Sequence, residues 1–447
     1  MNTANNAFFV FFYSNLKICY LRYNGLALSN YEIKKNFFFF FDTFVKKVMT
    51  VTIDGKVISY FTAGSINLKL DSIASTFEFA SHWEAQNKDH QQVFKPLQYR
   101  ELKVYNTAER LIFTGTILNH RFKSDKGRNL VIISGYSKCG ILEDVTIPPK
   151  YYPLESTNSS LEDIAKKYCK IFGIKVLISD QAKSIDASTT AEKNKKLKEK
   201  KIFFSAKSTY ESLKAKSKSI FGRTSAEPTQ TIKDYLAKLA GQKNIILSHN
   251  EYGDVLFFQP DYNQKPRYSF TKGNSLSMSA DFNGQELHSE INIVRQPSDD
   301  NQGVSTVDRT VNTLVNKYRP TTKILSSGED TQTKEAAKNE LANELRAIEI
   351  TVEVQGLLDD IYPGEIVNVH NHWIYSYAYN RFMVNSIVLK FDEKSDTTTL
   401  NLLVPEAFTG GELIRNILYN HLTEDHHQEP TLNYLNNDYI NNEDLGA

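Results

Sequence analysis

Two stretches far apart in the chain are written in the same order, and this repetition limits the architectures open to it. Pro363 to Phe408, PGEIVNVHNHWIYSYAYNRFMVNSIVLKFDEKSDTTTLNLLVPEAF, reads as three strands. Ile366, Val367 and Val369 follow a Pro-Gly turn, and Arg381 to Phe391 is dense in β-branched and aromatic residues. Beyond the break at Asp392 to Asp396, Leu400 and Leu402 alternate with Thr399 and Asn401. Pro96 to Ser134 has the same grammar. Leu102 and Val104 stand for Val367 and Val369, and Ile112 to Ile117 for Phe382 to Ile387. Phe122 then Leu130, like Phe391 then Leu400, cross a charged turn before a final apolar strand. Such a meander is the material of a small barrel, so the repeat predicts two similar barrels in one chain.

Between the repeats the hydrophobic period changes. Ser159 or Ser160 caps a helix carrying Leu161, Ile164, Ala165, Tyr168 and Cys169, which ends before Gly173. Ile174 to Ile178 is a short strand, Thr231 to Ala240 a second amphipathic helix, and Ile245 to Leu247 with Val255 to Phe258 a hairpin. The expected fold class is α+β, mainly β: two similar small antiparallel β-barrels with an inserted α/β domain. Five segments follow. They are an N-terminal extension, 1–48; a first barrel, 49–149, opened by a hairpin around Asp54-Gly55; and the α/β domain, 150–262. A second barrel, 263–408, pairs Leu276/Met278 with Ile291/Ile293 and carries a helix over 334–348, with Ala337, Leu341, Leu345 and Ile348 on one face. An acidic, Asn-rich tail, 409–447, has no Lys or Arg after Arg415 and is expected to be flexible.

The first 48 residues have the composition that T-rich and A-rich DNA gives when translated without selection, and Met49 stands directly before a clean strand. The reading places the true start at Met49, ahead of a disordered or docked arm and of a membrane anchor. The apolar run from Ala7 to Leu28 is broken by Lys17, Arg22 and several Asn, so stable membrane insertion is not expected.

A net charge of +1 over 447 residues gives no bulk attraction to nucleic acid or membrane. The local exception is Lys183 to Arg223, with twelve Lys/Arg against four Asp/Glu. Its aromatics are limited to Phe203, Phe204, Tyr210 and Phe221, so a solvated excursion outweighs a nucleic-acid patch, and no specific nucleic acid is expected. Cys19, Cys139 and Cys169 form no CxxC pair and read as reduced thiols.

Chemistry is sparse. His370 and His372 would share a face if both lay on a strand, but a metal needs further ligands, and none is nearby in sequence. His426-His427 sits in the acidic tail, and Asp299-Asp300 and Asp359-Asp360 read as loop acids lacking the contrasting environments of an acid/base pair. With no Walker loop, GxGxxG, GxSxG or HExxH, the expectation is no enzyme, no catalytic, cofactor-binding or metal residue, and no cofactor.

Four stretches taken in order resemble the baseplate hub proteins of contractile-tailed phages, the Mu-like tail hub family, related to the N-terminal part of type VI secretion spike proteins. They are SINLKLDSIASTFEFASHW; LIFTGTILNHRF with LVIISGYSKCGILEDV; TIKDYLAKLAGQKNIILSHNEYGDVLFFQP; and IYPGEIVNVHNHW through VPEAF. Gly135, Tyr136, Ser137, Lys138, Leu142, Glu143 and Asp144 hold the places of that family's glycine-led turn, with Tyr136 where an Arg is usual. The resemblance spans about residues 50 to 408. It implies a homotrimer that adapts a six-fold tail tube to a three-fold central spike and forms part of the DNA conduit. The partners implied are the chain itself, a spike, a tail tube or distal tube protein, baseplate wedge proteins and a tape measure protein. The place implied is the virion baseplate, after assembly in the host cytoplasm. The alternatives are a tail-associated cell-wall hydrolase, for which residues 409 to 447 are too short a site-bearing domain, a hub of a non-phage contractile injection system, and a basic DNA-binding protein.

Overall fold

The computed structural model describes residues 49–58, 61–186, 221–243, 245–295, 306–325, 333–376, 380–392 and 395–408. They belong to the second of two units, Met49–Ala447. The extension 1–48, the core of the Lys-rich excursion, Asp299-Asp300 and the tail with His426-His427 lie outside the described residues.

The first half opens with β1 (Thr50–Ile53) and β2 (Lys56–Ile58), paired about Asp54 and Gly55, both at positive φ. Such a turn matches the right-handed twist of a hairpin. Next come β3 (Phe61–Lys69), β4 (Thr76–His82), β5 (Glu101–Tyr105), β6 (Leu111–Asp125) and β7 (Arg128–Ser137). Only Glu101–Tyr105 of the segment begun at Pro96 is strand, because Leu97 and Tyr99 take positive φ and break extended pairing.

The middle holds β8 (Glu155–Ser159), β9 (Val176–Ile178), β10 (Phe221–Ser225), β11 (Ile246–His249) and β12 (Val255–Phe258). Helices Leu161–Cys169 and Ile232–Gln242 begin at Ser160 and Thr231, whose hydroxyls accept from the Asp163 and Asp234 amides. They bury Ile164, Tyr168, Tyr235 and Leu239 in a core with Val255 and Phe257.

The last part has β13 (Ser269–Thr271), β14 (Ser277–Phe282), β15 (Glu290–Arg295), β16 (Thr306–Val311), β17 (Pro320–Leu325), β18 (Ile348–Gln355), β19 (Ile366–His370), β20 (Arg381–Phe391) and β21 (Asp396–Leu403). The expected pairing of Leu276/Met278 with Ile291/Ile293 does not form. Met278 lies opposite Val352 of β18, whereas β15 pairs with β16 and β17 in a separate three-stranded sheet. Two-residue alternation marks a strand without naming its partner. The helix spans Thr333–Glu344, shorter than expected, and Ile348 already begins β18. Its Ala337 and Leu341 pack on Ile291 and Ile293.

The strand orders of the two halves coincide. The first runs β3-β4-β7-β6-β5-β1 and the second β14-β18-β21-β20-β19-β13. Both β6 and β20 carry a register shift, at Leu118 and Asn385, where each passes beyond the shorter strand beside it. Aligning the shifts places Ile117 on Val384, Gly135 on Leu402 and Glu101–Tyr105 end to end on Ile366–His370. The 3-10 turns Lys138–Gly140 and Pro405–Phe408 then begin at equivalent positions. The repeat is thus real in topology, with two amendments. Val384, not Ile387, is the counterpart of Ile117, since bulges fix register where apolar spacing cannot. The β1–β5 pair is antiparallel and its counterpart β13–β19 is parallel.

The halves are not separate closed barrels among the described residues. β20 beyond its bulge pairs with β3, so both meanders join one 13-stranded sheet with an open strand order. Their apolar faces share one core, from Ile66, Phe79 and Ile133 to Val352, Ile387 and Leu400.

Candidate functional site

The residues that could carry chemistry are dispersed by the fold. His370 closes β19, while His372 opens a 3-10 turn after Asn371, so the two do not share a strand face. Burial lowers the His370 pKa, and the His372 ring lies 5.5 Å from that of Trp373. No group of three or more His, Cys, Asp or Glu among the described residues is placed to hold a metal ion. Cys139 and Cys169 are buried, and burial pushes both thiols up to about 12, far from the thiolate needed for reactivity.

Asp360 is paired rather than poised. Arg267 Nη2 donates to it at 3.1 Å and the Tyr268 hydroxyl at 2.7 Å, while Arg267 Nε stands 3.7 Å from Glu365. Burial opposes ionisation of Asp360, but the bonds from Tyr268 and Arg267 prevail and lower its pKa. With Gln264 and Lys265 these side chains line an open depression of about 470 Å³. The cluster ties β13 to the turn before β19, a clamp without an unpaired acid.

The geometry that stands out is the junction between the halves. Six consecutive pairs join β20 to β3, from Ser386 opposite Lys69 to Phe391 opposite Gly64, and the Leu70 amide adds a bond to the Asn385 carbonyl at the bulge (2.8 Å). Ile66, Leu68, Ile387 and Leu389 are buried along it. Gly64 is required there: a Cβ would lie 2.3 Å from the Phe79 ring and 2.7 Å from that of Phe391. No catalytic motif marks these residues in the sequence; the signal available was the long strand Arg381–Phe391, which outreaches β19.

A second junction unites the three parts. Asp71 and Ile73 of the first half, Lys233, Ala237 and Leu247 of the middle, and Arg346 and Phe408 of the last line one cleft. Arg346 donates to Asp71 and lies 5.0 Å over the Phe408 ring.

This arrangement has solved counterparts. The 43 kDa tail protein of prophage MuSo2 from Shewanella oneidensis matches with a TM-score of 0.61 and 17% identity, over 80% of this chain and 99% of that one. The chain has the fold of a phage tail protein. A tail protein from Neisseria meningitidis MC58 gives the same TM-score of 0.61 and identity of 17%, over 81% of this chain and 98% of that one. No protein-family model and no curated protein sequence matches. The glycine-led turn after β7 is held by Tyr136. The Tyr136 hydroxyl donates to Asp144 at 2.7 Å, and its ring covers Gly140, where a Cβ would come within 2.5 Å of it. Among the described residues no helix is long and apolar enough to cross a membrane.

Proposed function

We propose that the chain is a structural baseplate hub of a phage tail. It acts as a homotrimeric adaptor that joins a six-fold tail tube to a three-fold central spike and forms part of the DNA conduit. The observation that carries this reading is the duplicated strand order, with its shared bulges and terminal turns, inside a tail-protein fold. Three chains with two near-equivalent halves each present six similar positions, and each chain still follows three-fold symmetry. In this reading 49–149 and 263–408 are the two hub domains, joined through one continuous sheet. The α/β part, 150–262, and the helix-backed sheet face neighbouring components: wedge, tube and tape measure proteins. The hub works by geometry, without a cofactor or a catalytic residue.

The test is the mass of the purified chain by light scattering, alone and with a candidate spike, together with immunogold labelling of tail particles. A trimer located at the end of the tail tube supports the hub. A persistent monomer with cell-wall hydrolysing activity refutes it.

A further inference from the structure

One pairing in the duplicated pattern has no counterpart among the described residues of the chain. Beyond its bulge, β20 is bonded on both edges, to β21 and to β3. Its equivalent, β6 from Asn119 to Asp125, pairs with β7 on one edge and with no described strand on the other. The equivalent of β3 is β14, since Ile66 lies opposite Phe77 and Ala280 opposite Ile350, and Phe77 and Ile350 correspond. Among the described residues β14 pairs with β18 alone. Near it stand side chains of the turn after β19, through Asn371 to the Met278 sulfur (3.4 Å) and Tyr375 to the Phe282 ring (6.3 Å). Among the described residues each half therefore ends in an open edge, and the two edges are the counterparts of strands that already bind each other.

Carrying the β20–β3 register over to the open edges gives a definite alignment. Asn119 falls opposite Asn283, His120 opposite Phe282, Arg121 opposite Asp281, Phe122 opposite Ala280, Lys123 opposite Ser279 and Ser124 opposite Met278. The side chains fit this register, although nothing in the alignment required it. Arg121 and Asp281 are both exposed, and directly opposed charges stabilise a strand pair. Asp281 already faces the like-charged Glu349 across β14–β18, so a guanidinium opposite it would offset two carboxylates. On the other face Phe122 and Phe282, each 42% exposed, come together beside His120 and Ala280, where the internal junction buries Leu389, Leu68, Ile387 and Ile66.

We propose that copies of this chain join edge to edge, β6 of one pairing antiparallel with β14 of the next, and so repeat between chains the β20–β3 junction within each. This rests on the homo-oligomeric reading above and names its contact. The two edges differ, so the contact is head to tail and must close into a ring or run on as a filament. Main-chain bonds supply the affinity, the Arg121–Asp281 and Phe122–Phe282 contacts fix the register, and both edges are removed from unwanted pairing.

The experiment uses the full chain carrying Phe122→Cys and Ala280→Cys together, with each single variant as control. Directly opposite positions are close enough for a disulfide. Mild oxidation is expected to give covalent oligomers from the double variant and from neither single one. Separately, Arg121→Asp and Asp281→Arg should each reduce the light-scattering mass to that of one chain, with unchanged circular dichroism, and R121D/D281R should restore it. An oligomer that forms no cross-link and keeps its mass in R121D overturns the edge pairing but leaves the oligomeric reading standing. A wild-type chain that stays monomeric at every concentration and with its spike overturns both.

Discussion

Lys243 Nζ lies 2.8 Å from a carboxylate oxygen of Asp186, whose side chain is fully buried. Asp186 also accepts from the amides of Leu161 and Glu162 at 3.0 and 3.1 Å, capping the helix Leu161–Cys169 from outside. The carboxylate thus answers a lysine and a helix N-terminus together, and burial lowers the Lys243 pKa against the opposing pull of Asp186. Removing one member of a buried pair leaves the other charge uncompensated. Asp186→Ala is expected to cost about 3–5 kcal/mol in urea denaturation. Lys243→Met should cost less, about 1–2 kcal/mol, because the two helix amides still hold the carboxylate.

The same lysine predicts how the Lys-rich excursion behaves. Asp186 stands at its start and Phe221 at its end, and Lys243 touches both, with Nζ 4.4 Å from the Phe221 ring centre. The two ends are thereby held near each other by residues outside the excursion. Replacing residues 187–220 by a linker of about four Gly/Ser residues, which spans up to roughly 14 Å, should leave the thermal transition within a few degrees of wild type. If the excursion is a solvated surface element, particles carrying the deletion also retain DNA as before. Loss of retained DNA by otherwise intact particles would assign the basic segment to DNA after all.

Gly135 is the most confined glycine of the first half. A Cβ there would fall 1.9 Å from the Thr116 carbonyl oxygen, which is backbone in the neighbouring strand and cannot rotate away. It faces β6 one step before the bulge at Leu118, where the register turns the strand toward its open edge. Gly135→Ala should therefore lower stability by about 2–3 kcal/mol or more through overpacking. In the assembly proposed above it should also weaken oligomers by displacing the strand from Asn119 onward. Gly127→Ala is the control: its added Cβ meets nothing within 4 Å, and a change under about 0.5 kcal/mol is expected.

What the sequence disclosed and what it hid divide along a physical line. Local signals were legible. The cap at Ser159 or Ser160, the helix beginning near Thr231, the Asp54-Gly55 turn and the three strands of Pro363 to Phe408 stand where propensity puts them, Ser160 being the cap used. The order of elements was legible too, and with it the duplication. Partner choice was not: alternation in β14 and β15 is satisfied by any apolar neighbour, and these strands entered different sheets. Nor was the β20–β3 junction, because pairing across more than 300 residues of chain is set by bulges and by a Gly64 that admits Phe391, features without a periodic signature. Asp360 looked like a loop acid and became one side of an ion-paired clamp through Arg267, 93 residues away in sequence.

Glu349 and Asp281 provide a test by pH. They lie directly opposite on β18 and β14, and the Glu349 pKa is raised, first by burial and then by the Asp281 charge. A raised carboxyl pKa means that the folded protein penalises the ionised form. The penalty is absent below the ordinary glutamate value of 4.5 and develops as pH rises through the folded-state value. Glu349→Gln removes the charge and keeps the shape. The variant should therefore be more stable than wild type at pH 7, by about 0.2–1 kcal/mol, the usual size of a cross-strand charge effect. The advantage should fade as the pH is lowered to about 4, where the wild-type carboxyl is itself largely protonated. Urea denaturation of dilute, single-chain protein at the two pH values measures the difference. At concentrations where copies associate, the gain at pH 7 should shrink, because Arg121 of the next copy already offsets the paired carboxylates. An equal gain in dilute and concentrated protein would place that arginine elsewhere.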